Sequence, residues 1–301
     1  MKLVGLMTVR NEEWVLGLSL RAALRFVDEM VVLDHASTDG TAALVERIAA
    51  EHPGRVRSLR EDDPIWNEVA CRQRLLEAGR AAGATHLCVL DADEVLTGNL
   101  LPGIRGLFAT LAPGETLSLP WLALWRDLDA YRDEPSRVAR KIMMLGFRDS
   151  PALHYAPAFD GFDFHTRRVR GIGADRAFCD EPEGATGGVL HLAAVNWRRL
   201  QARTVWYQMI EAVRYPEFRT PAERQAFYAL RYLDESEIRM RPVPPAWWEP
   251  YLSWRGAVDV DGAAWFEAEC RRMWSEHGAD VFAGLNAVQE SLAGSMTECL
   301  G

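Results

Sequence analysis

The first hundred residues alternate short apolar runs with helical stretches, and each of the main runs ends in a cluster of polar residues. Lys2 to Thr8 opens the pattern and is followed by a helical stretch from Glu12 to Val27 that carries Trp14, Leu18, Ala22 and Phe26 on or near one face. Met30 to Leu33 reads as the next strand and ends in Asp34-His35-Ala36-Ser37-Thr38-Asp39-Gly40. Ser37, Thr38 or Asp39 can cap the helix that follows, in which Ala42, Val45, Ile48 and Ala49 share a face. Arg55 to Leu59 is a short third strand, Asn67 to Ala82 a third helix, and His86 to Leu90 a fourth strand that stops at Asp91-Ala92-Asp93-Glu94. Strands that alternate with helices must cross over, and crossovers give a parallel sheet. In such sheets ligands bind beyond the carboxyl ends of the strands. The polar clusters after Met7, Leu33 and Leu90 therefore converge on one crevice.

Composition narrows the classes of function. A chain of 301 residues with 49% apolar and 26% charged residues can bury a full core, so it folds as a globular protein. Its net charge of −9 argues against a general nucleic-acid partner, because phosphate binders present basic surfaces. No apolar run approaches the ~18 residues of a membrane span. The N-terminal apolar run meets Arg10 and two acids too soon for a signal peptide. The cysteines Cys71, Cys88, Cys179, Cys270 and Cys299 are odd in number and contain no CxxC pair, which fits a reduced, cytoplasmic chain better than a disulfide framework or a thiolate zinc site.

Beyond residue 100 the alternation loosens. Leu117 to Leu124, Arg140 to Phe147 and Val189 to Leu192 read as strands, and Ser150 to Gly188 is rich in Gly, Pro, His and Asp. A long helix spans Asn196 to Tyr215, Thr220-Pro221-Ala222-Glu223 starts another, Pro242-Val243-Pro244-Pro245 breaks the chain, and Ala263 to His277 is amphipathic. The expected division is an α/β catalytic and nucleotide-binding region over 1–195 and a helical region over 196–301 packed on it, on the acceptor side.

Asp91-Ala92-Asp93 is the sharpest chemical signal. Two carboxylates two residues apart on a turn after a buried strand suit a hard divalent cation that also bridges phosphate oxygens. Alone, the triplet is a weak signal, and a solvated turn with a helix cap is its commoner meaning. Its companions are Thr8-Val9-Arg10-Asn11-Glu12-Glu13 after the first strand, Asp34 to Thr41 after the second, and Arg72 in the third helix. Together these resemble the family 2 glycosyltransferases of GT-A fold, over roughly residues 3 to 95.

The resemblance implies a mostly parallel α/β sheet flanked by helices, with a helical C-terminal elaboration. It implies a nucleotide-sugar donor, UDP-sugar favoured, Mn²⁺ or Mg²⁺, and transfer with inversion to an acceptor hydroxyl or amine. On it, Thr8 and Arg10 lie beside ribose and phosphates, Asp34 accepts from the base, Arg72 approaches base or diphosphate, Asp91 faces the ribose, and Asp93 binds metal together with Asp91. His35 departs from the acidic or small residue common after Asp34 and leaves the base preference open. Gly187-Gly188-Val189-Leu190-His191 fits the place of a late ligand, so His191 is read either as a metal ligand or as a histidine bonded to backbone. Arg203 or Arg199 follows on the next helix as a pyrophosphate contact, with Arg198 on a solvated face.

Inversion needs a general base near the acceptor hydroxyl. Asp163 is the first candidate, with Asp160 and Glu183 behind it. Trp247-Trp248, after the proline-rich break, is the aromatic candidate for the acceptor, whereas Trp265 and Trp274 read as core by their helical spacing. The acceptor is left as a glycan, a lipid-linked or a small molecule, and a lipid-linked one leaves room for peripheral membrane contact. Two rivals remain. A nucleotidyltransferase would show a glycine-rich phosphate loop after the first strand, which is absent here, and a catalytically degenerate nucleotide-sugar-binding protein would keep the fold without the chemistry.

Overall fold

The computed structural model describes residues 1–136, 139, 141–157, 167–177, 186–229, 237–260, 265–282 and 285. Its first half is the expected alternation: β1 (Leu3–Val9), α1 (Glu13–Ala23), β2 (Glu29–His35), α2 (Thr41–Glu51), β3 (Val56–Glu61), α3 (Glu68–Ala81) and β4 (His86–Val89). The four strands lie in the order β3-β2-β1-β4, and every pairing among them is parallel. Because β1 stands between β2 and β4, the chain winds outward in both directions from it. A crevice therefore opens at the carboxyl ends of β1 and β4.

Side-chain alternation along these strands builds two cores. Leu3, Met7, Met30, Val32, Cys88 and Leu90 face the layer of α1 and α2, while Val4, Leu6, Val31, Leu33, Leu87 and Val89 face α3. A parallel sheet covered on both faces needs near-continuous apolar strands, and Met30-Val31-Val32-Leu33 is such a run, each residue fully buried.

The second half extends the sheet with mixed polarity. After β5 (Glu94–Leu96) and α4 (Leu101–Ala109) come β6 (Glu115–Ala123), β7 (Ala130–Arg132), β8 (Lys141–Arg148), β9 (Ala174–Ala177) and β10 (Val189–His191). The order continues β4-β8-β6-β10-β5, with β9 also paired to β6. β8 runs antiparallel to both β4 and β6, so β6 and its parallel partner β10 point the same way as β4. His191, the last residue of β10, thereby reaches the same end of the sheet as Asp91. Gly188 permits this, since a Cβ there would stand 2.2 Å from the Pro120 carbonyl oxygen of β6.

Helices complete the fold: α5 (Trp197–Arg214), α6 (Pro221–Ala229), α7 (Pro245–Trp248), α8 (Leu252–Arg255) and α9 (Trp265–His277), with β11 (Met240–Pro242) pairing antiparallel to β7. That pairing ties the C-terminal region back to the α/β region. Trp206 of α5 meets Trp265 and Phe266 of α9 with ring centroids 5.5 Å and 5.2 Å apart. Trp247 and Trp248 are not at an open acceptor face. They are 3% and 4% exposed, in a core cluster with Leu124, Tyr131, Leu190 and Tyr251, and the Trp248 indole N–H donates to the Leu128 carbonyl. Among the described residues no helix is long and apolar enough to cross a membrane.

Candidate active site

The polar segments after β1 and β2 fold as one unit. Asn11 adopts a left-handed backbone (φ 53°), which asparagine tolerates better than most residues. Its Oδ1 accepts from the Thr38 and Asp39 backbone N–H groups at 2.7 and 3.2 Å. Glu12 N–H donates to Thr41 Oγ1 at 2.8 Å, and Glu13 Oε2 accepts from Gly40 N–H at 2.8 Å. Asp39 Oδ1 accepts from Thr41 N–H at 2.9 Å, so this acid holds its own loop. Arg-Asn-Glu-Glu and Ser-Thr-Asp-Gly-Thr occur together because each supplies what the other's backbone lacks.

Above this unit lies a cavity of about 400 Å³ whose walls include Thr8, Arg10, Glu12, Arg72, Asp91, Asp93, His191 and Arg203. Seven of the eight residues read from the sequence as donor or metal contacts thus share one space with each other, and Asp34 does not line it. Asp34 is 3% exposed at the end of β2, paired in register with Val9. Its Oδ1 accepts from Ser37 N–H at 3.2 Å, and among the described residues Oδ2 has no partner. Asp160, Asp163 and Glu183 lie outside the described residues.

The acids after β4 are held by a ladder of arginines. Asp91 Oδ1 accepts from Arg72 at 3.0 Å and Oδ2 from Arg167 at 2.9 Å. Arg72 also donates to Glu68 one helical turn earlier, at 2.7 Å. Arg167 continues to Glu94, with contacts of 2.5 and 2.8 Å to its two oxygens, and Glu94 Oε1 also accepts from the Trp121 indole at 2.9 Å. Burial opposes ionisation of Asp91, but Arg167 and Arg72 outweigh it and keep its carboxyl below the ordinary value.

Asp93 has a different environment. The antiparallel pairing of β10 with β5 sets His191 opposite Glu94, and Leu192 N–H donates to the Asp93 carbonyl at 2.8 Å. Asp93 Oδ2 is consequently 3.4 Å from His191 Nε2 and 3.1 Å from Arg203 Nη1. Burial again works against the charge, yet His191 and Arg203 hold the carboxyl far below the usual carboxylate range. The His191 ring stacks on Trp121 at 3.7 Å, which fixes its plane.

Helix α5 delivers two cations to two acids from other elements. Asn196 caps it, its side chain accepting from Arg199 N–H at 2.9 Å. One turn apart on one face, Arg199 pairs with Glu12 at 2.7 Å and Arg203 with Asp93 at 3.1 Å. Arg203 enters the cavity wall, whereas Arg199 does not. Arg198 points elsewhere and pairs with Glu267 of α9. The Glu12 carboxyl is pushed up by burial against the pull of Arg199, with Asp93 adding to the rise.

Sequence reading missed several wall residues. Arg167 sits in an irregular stretch with no periodicity to mark it. Glu12 stood inside a quoted motif, as did Glu94 behind the wall, but only their neighbours received roles. Trp66, between β3 and α3, and Trp265 of α9 also line the cavity, so Trp265 is not simply core. Trp274, by contrast, stacks on Phe282 at 5.7 Å.

Residues 6–111 match the sequence model of glycosyl transferase family 2. No curated protein matches the chain in sequence. Among solved structures, S. aureus TarS 1–349 is 13% identical with a TM-score of 0.43, covering 98% of this chain and 92% of that one. The same protein in complex with UDP gives 13% identity and a TM-score of 0.40, over 76% of this chain and 70% of that one. Glucosyl-3-phosphoglycerate synthase from Mycobacterium tuberculosis, in complex with Mn²⁺, UDP and phosphoglyceric acid, is 20% identical with a TM-score of 0.30, over 40% of this chain and 43% of that one. The match to glycosyl transferase family 2 thus covers the β1 and β2 turns and the acids after β4, all within residues 6–111.

Proposed function

We propose that this protein transfers a sugar from a nucleoside diphosphate donor, with UDP-sugar favoured, to an acceptor hydroxyl or amine, with inversion and with Mn²⁺ or Mg²⁺. The carrying observation is the convergence in one cavity of Asp91, Asp93 and His191 with guanidinium groups that include those of Arg10, Arg72 and Arg203.

The donor set fits a cation of this kind. Among the described residues no group of three or more His, Cys, Asp or Glu side chains closes round a point. Asp93 and His191 do, however, bring a carboxylate and an imidazole to within 3.4 Å of each other. Mg²⁺ is commonly held by one or two carboxylates with substrate phosphates and water completing the shell, and imidazole suits Mn²⁺ as well. Asp93 and His191 are the residues that would hold it, with Asp91 beside them, and bound there it supplies neutralisation of the charge gathering on the departing diphosphate.

The chain's own residues do the rest. Arg203 and Arg10 present guanidinium groups suited to phosphate oxygens. Arg72 and Arg167 fix both oxygens of Asp91, so that this carboxylate is pre-set for hydrogen bonds from the ribose and loses little freedom on binding. The aromatic wall of Trp121, Trp125 and Trp206 suits the apolar faces of sugars. The general base is assigned to Asp163, with Asp160 and Glu183 as its alternates. Asp163 stands four residues before Arg167, whose side chain reaches the cavity.

A thermal-shift screen of UDP, GDP, CDP and dTDP, each with and without Mn²⁺, tests this reading. A ligand bound only by the folded state raises the melting temperature through RT ln(1 + [L]/Kd). The expected result is a Mn²⁺-dependent shift, largest with UDP, that Asp93→Ala abolishes. No shift with any of the four refutes the donor site as described.

A further inference from the structure

The cavity is closed on one side by a helix that lies outside the matched segment 6–111. Trp265, the first residue of α9, lies with its ring 5.0 Å from the Arg10 guanidinium. Arg10 continues to His35, its Nη1 3.4 Å from the imidazole Nδ1, and His35 meets the edge of Trp66 at a centroid distance of 4.9 Å. A row of flat groups thus runs from α9, across the end of β1 and β2, to the segment before α3.

Three residues of the cavity wall carry a side-chain atom buried without a hydrogen-bond partner among the described residues, at Thr8 Oγ1, Arg10 Nε and Trp265 Nε1. Buried polar atoms are almost always satisfied, so orphans in the wall of a cavity mark a place where a ligand completes them. They comprise two N–H donors and a hydroxyl that can donate or accept. A nucleobase offers the matching set, carbonyl acceptors and N–H donors around the edge of a flat ring.

We propose that Trp265 is a specificity-determining residue of the donor site, supplying from the C-terminal helix an aromatic wall for the base of the bound nucleotide. This rests on the donor-site reading above and adds to it that the C-terminal helical region helps build the nucleotide subsite. The polyphosphate is left to Arg203 and to the cation that Asp93 and His191 would hold.

The test uses the full chain and isothermal titration with two probes, UDP and inorganic pyrophosphate, both with Mn²⁺. Trp265→Ala is expected to weaken UDP about tenfold or more, the range found when an aromatic platform is removed from a base. Pyrophosphate binding stays within about twofold of wild type. Trp265→Phe, which keeps a ring without the N–H, gives a smaller loss for UDP alone. Trp274→Ala, on the same helix but stacked on Phe282, changes neither. Unchanged UDP affinity in Trp265→Ala overturns the inference, and so does an equal loss of UDP and pyrophosphate in both Trp265 variants, since that is what a merely structural role produces. Failure of the wild-type chain to bind UDP at all overturns the donor-site reading first, and this inference with it.

Discussion

Arg167 is the residue through which the acids after β4 can be tested apart from any activity. Its guanidinium makes two contacts to Glu94, at 2.5 and 2.8 Å, one to Asp91 at 2.9 Å and one to the Val89 carbonyl at 3.0 Å. Glu94 is 0% exposed, so its charge has no access to water. Arg167→Met keeps the length of the side chain and removes the cation. Glu94 is then left with the Trp121 indole and the Asp91 backbone N–H, two neutral donors in place of a bidentate ion pair. Breaking a buried pair by removing one partner costs about 3–5 kcal/mol, because the other charge stays buried. At about 2 °C per kcal/mol for a chain of this size, the melting temperature falls by roughly 6–10 °C. The double variant Glu94→Gln/Arg167→Met removes both charges and should regain at least about half of that loss, since neutral replacements of a whole pair are often tolerated. Urea unfolding followed by circular dichroism measures both steps. A loss below about 1 kcal/mol in Arg167→Met, or no recovery in the double variant, shows that Glu94 is not held as a buried anion by Arg167 and refutes the reasoning.

Further outcomes follow from the same geometry. Asp93→Ala should lower Mn²⁺-dependent hydrolysis of the nucleotide-sugar by about a hundredfold or more while leaving the fold intact, as read by steady-state kinetics beside circular dichroism. The folded-state carboxyl of Asp93 lies below its unfolded value of about 3.9, so its stabilisation is complete above about pH 5 and drains away as pH falls. Asp93→Asn should accordingly flatten the urea midpoint's dependence on pH between about 5 and 2. Gly188→Ala sets a Cβ 2.2 Å from the Pro120 carbonyl and should cost about 1–3 kcal/mol, with a drop in nucleotide affinity as β10 and His191 shift. Ala36 holds a left-handed backbone at φ 50°, so Ala36→Gly should raise stability by about 0.5 kcal/mol in the same unfolding assay.

What could be read from sequence divides along a physical line. β1, β2, β4 and the helices between them were legible because doubly covered strands require unbroken apolar runs and their crossover helices require an apolar face. Both demands write themselves into consecutive residues, as in Met30-Val31-Val32-Leu33 or Leu75-Leu76 of α3. β5 was hidden because Glu94, its first residue, is a buried acid whose charge is answered by Arg167, a residue 73 positions away. Nothing near Glu94 in the chain announces that partner. The same holds for Glu12 with Arg199 and for Asp93 with Arg203, the latter 110 positions apart. In each case the acid lies in a quoted motif and the base lies far along the chain.

The candidate site is therefore half legible for a reason rooted in its electrostatics. Its carboxylates must follow directly on strand ends, where the sheet aims them, so they form short motifs. Its cations need only arrive at the right place from any element, and α3, α5 and the stretch before β9 each deliver one or more. Arg199 and Arg203 left a trace, a four-residue spacing on a helix, because α5 carries both on one face. Arg167 left none. Trp265 was misjudged on its own trace, since helical spacing reports that a side chain faces inward and not whether the space it faces is core or cavity. What distinguishes the two is the unpartnered polar atoms that share its cavity, at Thr8 and Arg10, and that cavity exists only once β1 and α9 have been brought together.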